Sequence, residues 1–228
     1  MNDVGTIQRA RIELESRIAA VPRSWTHAVE IVAVTKAFPS EVVERALAAG
    51  FRAIGENYAQ ELMAKRPTIE ELPVRPRVDF IGRLQSNKVR QLVGLVDRWA
   101  SVDRESIARE IARRDSGAHV LVQVNSTGEE NKGGCSPAST PQLVAACVDL
   151  GLVVDGLLTV GPTGRDPSAA APGFAVVREM VDELGLDVCS MGMSGDLEVA
   201  VAAGATSVRI GSALFGARPV HPSGDPLG

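Results

Sequence analysis

The feature that most constrains the fold is a regular alternation of short apolar segments with amphipathic ones. Eight segments have the length and character of buried strands, and helix-like segments such as SEVVERALAAG and GDLEVAVAAG lie between them. Several of the strands are apolar on both faces, which is typical of parallel strands covered by helices. The predicted strands lie near 30–36, 52–55, 78–82, 98–102, 119–125, 153–160, 187–191 and 206–211.

Eight such units predict a closed (β/α)8 barrel of the TIM type, formed by a single domain over residues 1–218. Apolar residues at helical spacing near the N-terminus predict an extra helix before the first strand. An open, doubly wound sheet is the alternative, but no GxGxxG motif follows the first strand. Residues 219–228 are predicted to form a flexible tail.

Composition excludes several classes of protein. Hydrophobic residues make up 45% of the 228 residues and charged residues 23%, which is enough apolar surface for a core and excludes a disordered chain. The net charge is −4 and the basic residues are scattered, so binding to nucleic acid is not expected. No apolar run is long enough to cross a membrane, and the polar N-terminus does not resemble a signal peptide, so we expect a cytoplasmic protein. Three cysteines without a CxxC pair predict neither disulfides nor a zinc site.

Lys36 is the first candidate functional residue, because the working groups of a barrel lie at the C-terminal ends of its strands. It ends the apolar segment EIVAVTK, on the same face as Val32 and Val34 by two-residue alternation. An amine at this position either extends into water along its apolar stem or, if desolvated, forms a Schiff base with a carbonyl group. The position of Lys36 alone leaves both interpretations open.

Two loops near the end of the chain are candidates for binding an anion. MGMSGD after the seventh strand and RIGSALFG after the eighth each combine glycine and serine at the start of a helical segment. Backbone N–H groups, a hydroxyl and a positive helix end favour an anion, and barrels often bind phosphate between these two loops. Taken singly, Ser194 and Ser212 are better explained as helix N-caps. Together they predict a phosphate site.

Arg209 lies inside the eighth strand, on the same face as Ser207 and Gly211. A charged group in a buried strand needs an acceptor, so either a salt bridge or a ligand is expected. The acids available from other strands are Asp79, Asp103 and Asp155. Further polar residues expected at the barrel mouth, with weaker claims to function, are Glu56, Asn57, Gln85, Ser86, Asn87 and Lys88.

Six motifs, in order, resemble one family: AVTKAFP, IGENYAQE, FIGRLQSNK, QVNSTGEENKGG, SMGMSGDLEVAVAAGAT and RIGSALFGAR. Together they make the chain similar to the pyridoxal phosphate homeostasis proteins, from about residue 31 to residue 218. The resemblance implies a barrel like the N-terminal domain of alanine racemase. One departure is Asp79, which stands where the family commonly has a histidine.

The resemblance also implies a set of cofactor contacts. It implies that pyridoxal 5'-phosphate (PLP) is carried by Lys36 and that Arg209 donates a hydrogen bond to the nitrogen of the PLP ring. Asn57 is expected near the ring hydroxyl. The phosphate contacts that it implies come from Ser194, Gly211 and Ser212.

The same residues bear on whether the protein is an enzyme. An arginine cannot protonate the ring nitrogen, and PLP catalysis at an α-carbon needs a base on each face that exchanges a proton. The only tyrosine is Tyr58, and no second domain is expected to supply another base. We therefore expect a protein without catalytic residues or metal, which buffers PLP and delivers it to apo-forms of PLP-dependent enzymes. We also expect it to be monomeric. The alternatives are a PLP-dependent amino-acid racemase and an aldolase-type enzyme in which Lys36 acts without a cofactor.

Overall fold

The protein folds as an eight-stranded parallel barrel in which each strand pairs with the next and β8 pairs with β1. This computed structural model describes residues 1–164 and 166–217. The predicted (β/α)8 barrel of the alanine racemase type is confirmed. Residues 219–228, for which a flexible tail is predicted, lie outside the described residues. The strands are β1 Glu30–Val34, β2 Ala53–Glu56, β3 Arg77–Phe80, β4 Arg98–Val102, β5 His119–Gln123, β6 Val153–Leu158, β7 Val188–Ser190 and β8 Ser207–Ile210.

Helices follow the strands, as the amphipathic segments predict. The predicted extra helix is α1, which begins after Asp3, whose carboxylate accepts the Thr6 N–H at 2.7 Å. It packs against α2, α8 and α9 through buried apolar residues. The helices are α1 Val4–Ala20, α2 Glu41–Ala48, α3 Ala59–Glu71, α4 Ser86–Leu92, α5 Glu105–Arg114, α6 Thr140–Asp149, α7 Ala171–Glu183, α8 Leu197–Ala202 and α9 Ser212–Phe215. No helix among the described residues is long and apolar enough to cross a membrane.

Several strands end earlier than predicted. The first strand is predicted over 30–36 but ends at Val34, and the sixth is predicted over 153–160 but ends at Leu158. Thr35 and Lys36 after the first strand, and Thr159 and Val160 after the sixth, already belong to the loops at the barrel mouth. Lys36 therefore lies in a loop two residues beyond β1, and not within the strand itself.

The barrel interior is polar at one end and apolar in the middle. At the N-terminal ends of the strands, Arg77 binds Glu30 through two hydrogen bonds of 2.9 and 2.7 Å and donates to Asp79 at 2.8 Å. Arg98 also binds Asp79. Above this network lies a small cluster made by Ala100, Leu121 and Leu158. The charged network and the apolar layer fill the barrel, which leaves the C-terminal mouth for a site.

Candidate functional site

One cavity of about 280 Å³ at the C-terminal mouth brings together most of the predicted site residues. Pairing of Ala33 with Ile210 closes the barrel and places the chain after β1 beside the chain after β8. Five of the six predicted residues line this cavity: Lys36, Ser194, Arg209, Gly211 and Ser212. Apolar walls from Val34, Phe38 and Ile81 complete it, together with Met193 and Gly195.

Lys36 is half-buried, in a segment with an unusual backbone. The next residue, Ala37, has a φ of 63°, in the left-handed region that residues with a Cβ rarely adopt. Beyond it, the Phe38 ring packs on Phe215 with 5.5 Å between the ring centroids. Lys36 is therefore followed directly by the left-handed Ala37 and then by Phe38, whose ring lines the cavity.

The two serine loops provide hydrogen-bond donors. α8 begins after Asp196, two residues beyond Ser194, and Ser212 is the first residue of α9; neither helix has a side-chain cap. The interpretation of both serines as simple helix N-caps is therefore wrong. Within the described residues, the two hydroxyls and the backbone N–H groups of Ser194, Gly195 and Ser212 donate to no protein acceptor. These groups are available to an anion.

Arg209 is buried and forms no salt bridge with the described residues, although Asp196 and Asp79 act on its charge at longer range. Its Nη1 donates to Ser190 Oγ at 2.7 Å and its Nη2 to the Thr159 carbonyl at 2.7 Å. Burial lowers the pKa of this guanidinium to about 10. The salt-bridge alternative is not what the structure shows, because the three acids considered for it bind other groups: Asp79 pairs with Arg77 and Arg98, Asp103 with Arg104, and Asp155 with His119.

Asn57 follows β2 and lines a neighbouring cavity of about 480 Å³. Its Oδ1 is buried and accepts no hydrogen bond from the described residues. Of the other residues predicted at the mouth, Gln85 and Lys88 line this second cavity, whereas Ser86 and Asn87 are not among its lining residues. The structure therefore does not place Asn57 in the lining of the first cavity, but it leaves one buried acceptor of Asn57 without a donor.

Glu56 is not at the mouth, where the sequence predicts it. It points outward from the barrel towards α3, is fully buried, and binds Lys65, which is also buried. Sequence reasoning missed Lys65 as the partner of Glu56 behind the site. The signal was its spacing, since Leu62, Lys65 and Ile69 occupy the buried stripe of an amphipathic helix.

No described group of three or more histidine, cysteine, aspartate or glutamate side chains is arranged to bind a metal ion. The chemistry of the first cavity therefore comes from one amine, one buried guanidinium, two hydroxyls and backbone N–H groups. An amine with neighbouring anion donors suits a ligand that carries both a carbonyl and a negative charge.

Comparison with known proteins agrees with this chemistry. Residues 12–219 match the family of the alanine racemase N-terminal domain. The chain is 43% identical over 197 residues to the pyridoxal phosphate homeostasis protein of Pseudomonas aeruginosa, covering 83% of this chain and 85% of that one. It is 36% identical over 211 residues to the pyridoxal phosphate homeostasis protein of Homo sapiens, covering 82% and 76%.

Solved structures show the same relationship. PipY of Synechococcus elongatus, solved with PLP bound, has a TM-score of 0.75 and 31% identity, covering 89% of this chain and all of PipY. An alanine racemase of Clostridium difficile has a TM-score of 0.71 but 15% identity, and this chain covers 58% of it, so that likeness shows the fold alone. The chain therefore belongs to the family of pyridoxal phosphate homeostasis proteins, which is built on the barrel of the alanine racemase N-terminal domain.

Proposed function

We propose that this protein binds PLP in the first cavity, through a Schiff base with Lys36, and holds it for release to other proteins. The observation that carries the proposal is the meeting of Lys36, Arg209 and the two serine loops around one cavity of about 280 Å³. When bound, PLP supplies an aldehyde that condenses reversibly with an amine, and an aromatic ring that withdraws electrons. The names of the relatives and the PLP bound in PipY support the same ligand.

The donors in the cavity fit the two ends of PLP. Ser194, Ser212 and the backbone around Gly211 would bind the phosphate, because their hydroxyl and N–H groups have no protein acceptor in the described chain. Gly211 lets this loop lie close to the end of β1, since a Cβ there would be only 3.2 Å from the Val34 carbonyl oxygen.

The buried arginine of the cavity fits the pyridine ring. Arg209 would donate to the ring nitrogen, because a guanidinium donates hydrogen bonds and accepts none. Its burial without an acidic partner among the described residues is costly for the fold alone, and a ligand acceptor explains it. The buried Oδ1 of Asn57, which has no donor within the described chain, would accept from the ring hydroxyl or a water beside it.

The lining of the cavity supports binding without turnover. Of the described residues that line it, Lys36 alone has a side chain able to act as a base near neutral pH. Tyr58, the only tyrosine of the sequence, lines the neighbouring cavity. A racemase needs a proton-exchanging group on each face of the ring, so this lining favours a carrier over the racemase alternative. The donor set for a phosphate and a ring nitrogen likewise favours PLP over an aldolase that works without a cofactor.

A carrier of this kind would deliver PLP to apo-enzymes. A lysine at an open barrel mouth holds an aldehyde reversibly, so another protein's lysine can take it over. We further propose that the protein acts as a monomer in the cytoplasm, where PLP-dependent enzymes acquire their cofactor.

The test is to load the protein with PLP, remove the excess and record its visible spectrum. The wild type should be yellow, and Lys36→Ala should be colourless with an unchanged melting temperature, because a residue at the mouth contributes little to the core. The loaded protein is then incubated with a PLP-free apo-enzyme whose recovery of activity is followed. Racemase and transaminase assays run in parallel.

A colourless wild type would refute PLP binding at an amine. Robust turnover of any amino acid would favour the racemase alternative, and failure to reactivate every apo-enzyme tried would leave storage as the function. A matched control is Lys88→Ala, which removes a different amine from the neighbouring cavity and should leave the colour unchanged.

A further inference from the structure

A buried ion pair holds the peptide on the N-terminal side of Lys36. Lys65 Nζ donates to the Thr35 carbonyl oxygen at 2.8 Å and to Glu56 Oε1 at 2.6 Å. The Thr35 hydroxyl donates to the same carboxylate oxygen at 2.6 Å. Lys65 is 2% exposed, and Thr35 and Glu56 are fully buried. The carbonyl that precedes Lys36 is thus fixed by a group that cannot reach solvent.

A second carboxylate holds the peptide on the C-terminal side. The Ala37 N–H donates to Glu61 Oε2 at 2.7 Å, at the residue whose φ of 63° turns the chain. Glu61 and Lys65 lie four residues apart on α3, so one face of this helix contacts both peptides that flank Lys36. The left-handed conformation is unfavourable for a residue with a Cβ, so it needs such contacts to persist.

We propose that Glu56, Glu61 and Lys65 are positioning residues, which fix the direction in which the Lys36 amine enters the cavity. The inference rests on the proposed function, because it assigns these residues a part in the covalent capture of PLP. None of the three lines the first cavity, although Glu61 lines the neighbouring one. The hydrogen bonds of Glu61 and Lys65 to this segment go to the backbone of Ala37 and Thr35, so we assign them an action through the backbone around Lys36.

Stability alone does not explain the arrangement. A buried ion pair gives little net stability compared with well-packed apolar residues of similar volume. Burial raises the pKa of Glu56 in spite of the opposing effects of Lys65 and Thr35, so the carboxylate is held in an unfavourable environment. Its second oxygen, Oε2, accepts no hydrogen bond from the described residues. A buried carboxylate with one oxygen lacking a described donor, close to the proposed attachment lysine, is expected where the backbone geometry matters more than stability.

The test separates covalent capture from non-covalent binding. Capture is measured as the rate at which borohydride traps PLP on the protein. Non-covalent binding is measured as the equilibrium affinity for pyridoxine 5'-phosphate, in which an alcohol replaces the aldehyde. The variants are Glu61→Met, which removes the acceptor for the Ala37 N–H, and Glu61→Gln, which keeps an acceptor oxygen. Glu56→Gln combined with Lys65→Met removes both buried charges together.

Glu61→Met and the double variant should capture PLP on the order of tenfold to a hundredfold more slowly, because small errors in position have effects of that size. Their affinity for pyridoxine 5'-phosphate should stay close to that of the wild type, and Glu61→Gln should recover most of the capture rate. The control is Glu70→Gln, which breaks an exposed pair with Arg66 on the same helix and should change neither quantity.

Equal losses of capture and affinity would overturn the proposal, since they would show a general loss of structure. Unchanged capture in Glu61→Met, or equal loss in Glu61→Gln and Glu61→Met, would also overturn it. If the double variant does not fold, the two Glu61 variants decide, because Glu61 is only partly buried. A wild type that takes up no PLP would instead refute the proposed function, and that failure is recognisable because it affects the wild type itself.

Discussion

Replacing Arg209 by methionine tests whether this arginine serves the ligand or the fold. Arg209 is 5% exposed, and its two hydrogen bonds go to the Ser190 hydroxyl and the Thr159 carbonyl. No carboxylate in the described part of the chain forms a salt bridge with it. Methionine is flexible, uncharged and of comparable length, so it fills much of the same space.

The expected effect on stability is small because two contributions offset each other. Burial lowers the pKa of Arg209 to about 10, so holding the charged form costs the folded protein roughly 3 kcal/mol at neutral pH. Each hydrogen bond from a charged group contributes about 1.5 kcal/mol or more, and Arg209 makes two. The folded pKa lies below that of the unfolded chain, so the cost is present at neutral pH and is relieved only as the pH rises above about 10.

Arg209→Met should therefore change the free energy of unfolding by no more than about 2 kcal/mol. A matched comparison is Lys65→Met, which leaves Glu56 buried without its partner and should cost about 3–5 kcal/mol. Loss of the hydrogen bond to the ring should weaken PLP binding by about tenfold to a hundredfold. Urea titrations give the stabilities, and equilibrium dialysis gives the affinities. Arg209 serves the fold and not the ligand if Arg209→Met is as destabilising as Lys65→Met and binds PLP as tightly as the wild type.

Three other perturbations test separate parts of the account. Gly211→Val should weaken binding of PLP more than binding of pyridoxal, because a branched side chain there would press on Val34 and displace the loop proposed to bind the phosphate. Equal losses in dialysis would locate the anion elsewhere. Cys147 and Cys189 should resist iodoacetamide at about pH 8, since burial raises the pKa of each thiol to about 12. Mass spectrometry should find both thiols labelled only in urea, and labelling of the folded protein would contradict their burial. Asp79→Asn should lower the free energy of unfolding, measured by urea titration, by about 3–5 kcal/mol, because it leaves the buried Arg98 without its carboxylate. A decrease below about 1 kcal/mol would show that the Asp79 charge is unimportant for stability.

Much of the fold could be predicted from the sequence because the strands are short, apolar and regularly spaced. The period of two also predicts that Lys36 shares a face with Val34, and Arg209 with Gly211, and all four residues line the first cavity. The convergence of Ser194 and Ser212 follows from the order of the last two strands. These predictions depend on local pattern and topology, which a single sequence contains.

The partners of buried polar groups could not be predicted in the same way. Arg209 binds a carbonyl at the end of β6 and a hydroxyl on β7, and nothing in the sequence separates these acceptors from three nearby acids. The sequence predicts Glu56 at the mouth because it follows an apolar strand, whereas alternation turns it outward towards Lys65. The choice between such partners depends on side-chain distances of a few ångströms, which spacing along the chain does not determine.

The most direct test of the account is to identify the lysine that carries PLP. The wild-type protein is loaded with PLP, reduced with borohydride, digested and mapped by mass spectrometry. The sequence has only four lysines, Lys36, Lys65, Lys88 and Lys132, so one peptide map distinguishes them all. We expect a reduced pyridoxyl group on Lys36. Modification confined to any other lysine, or no modification at all, would contradict it.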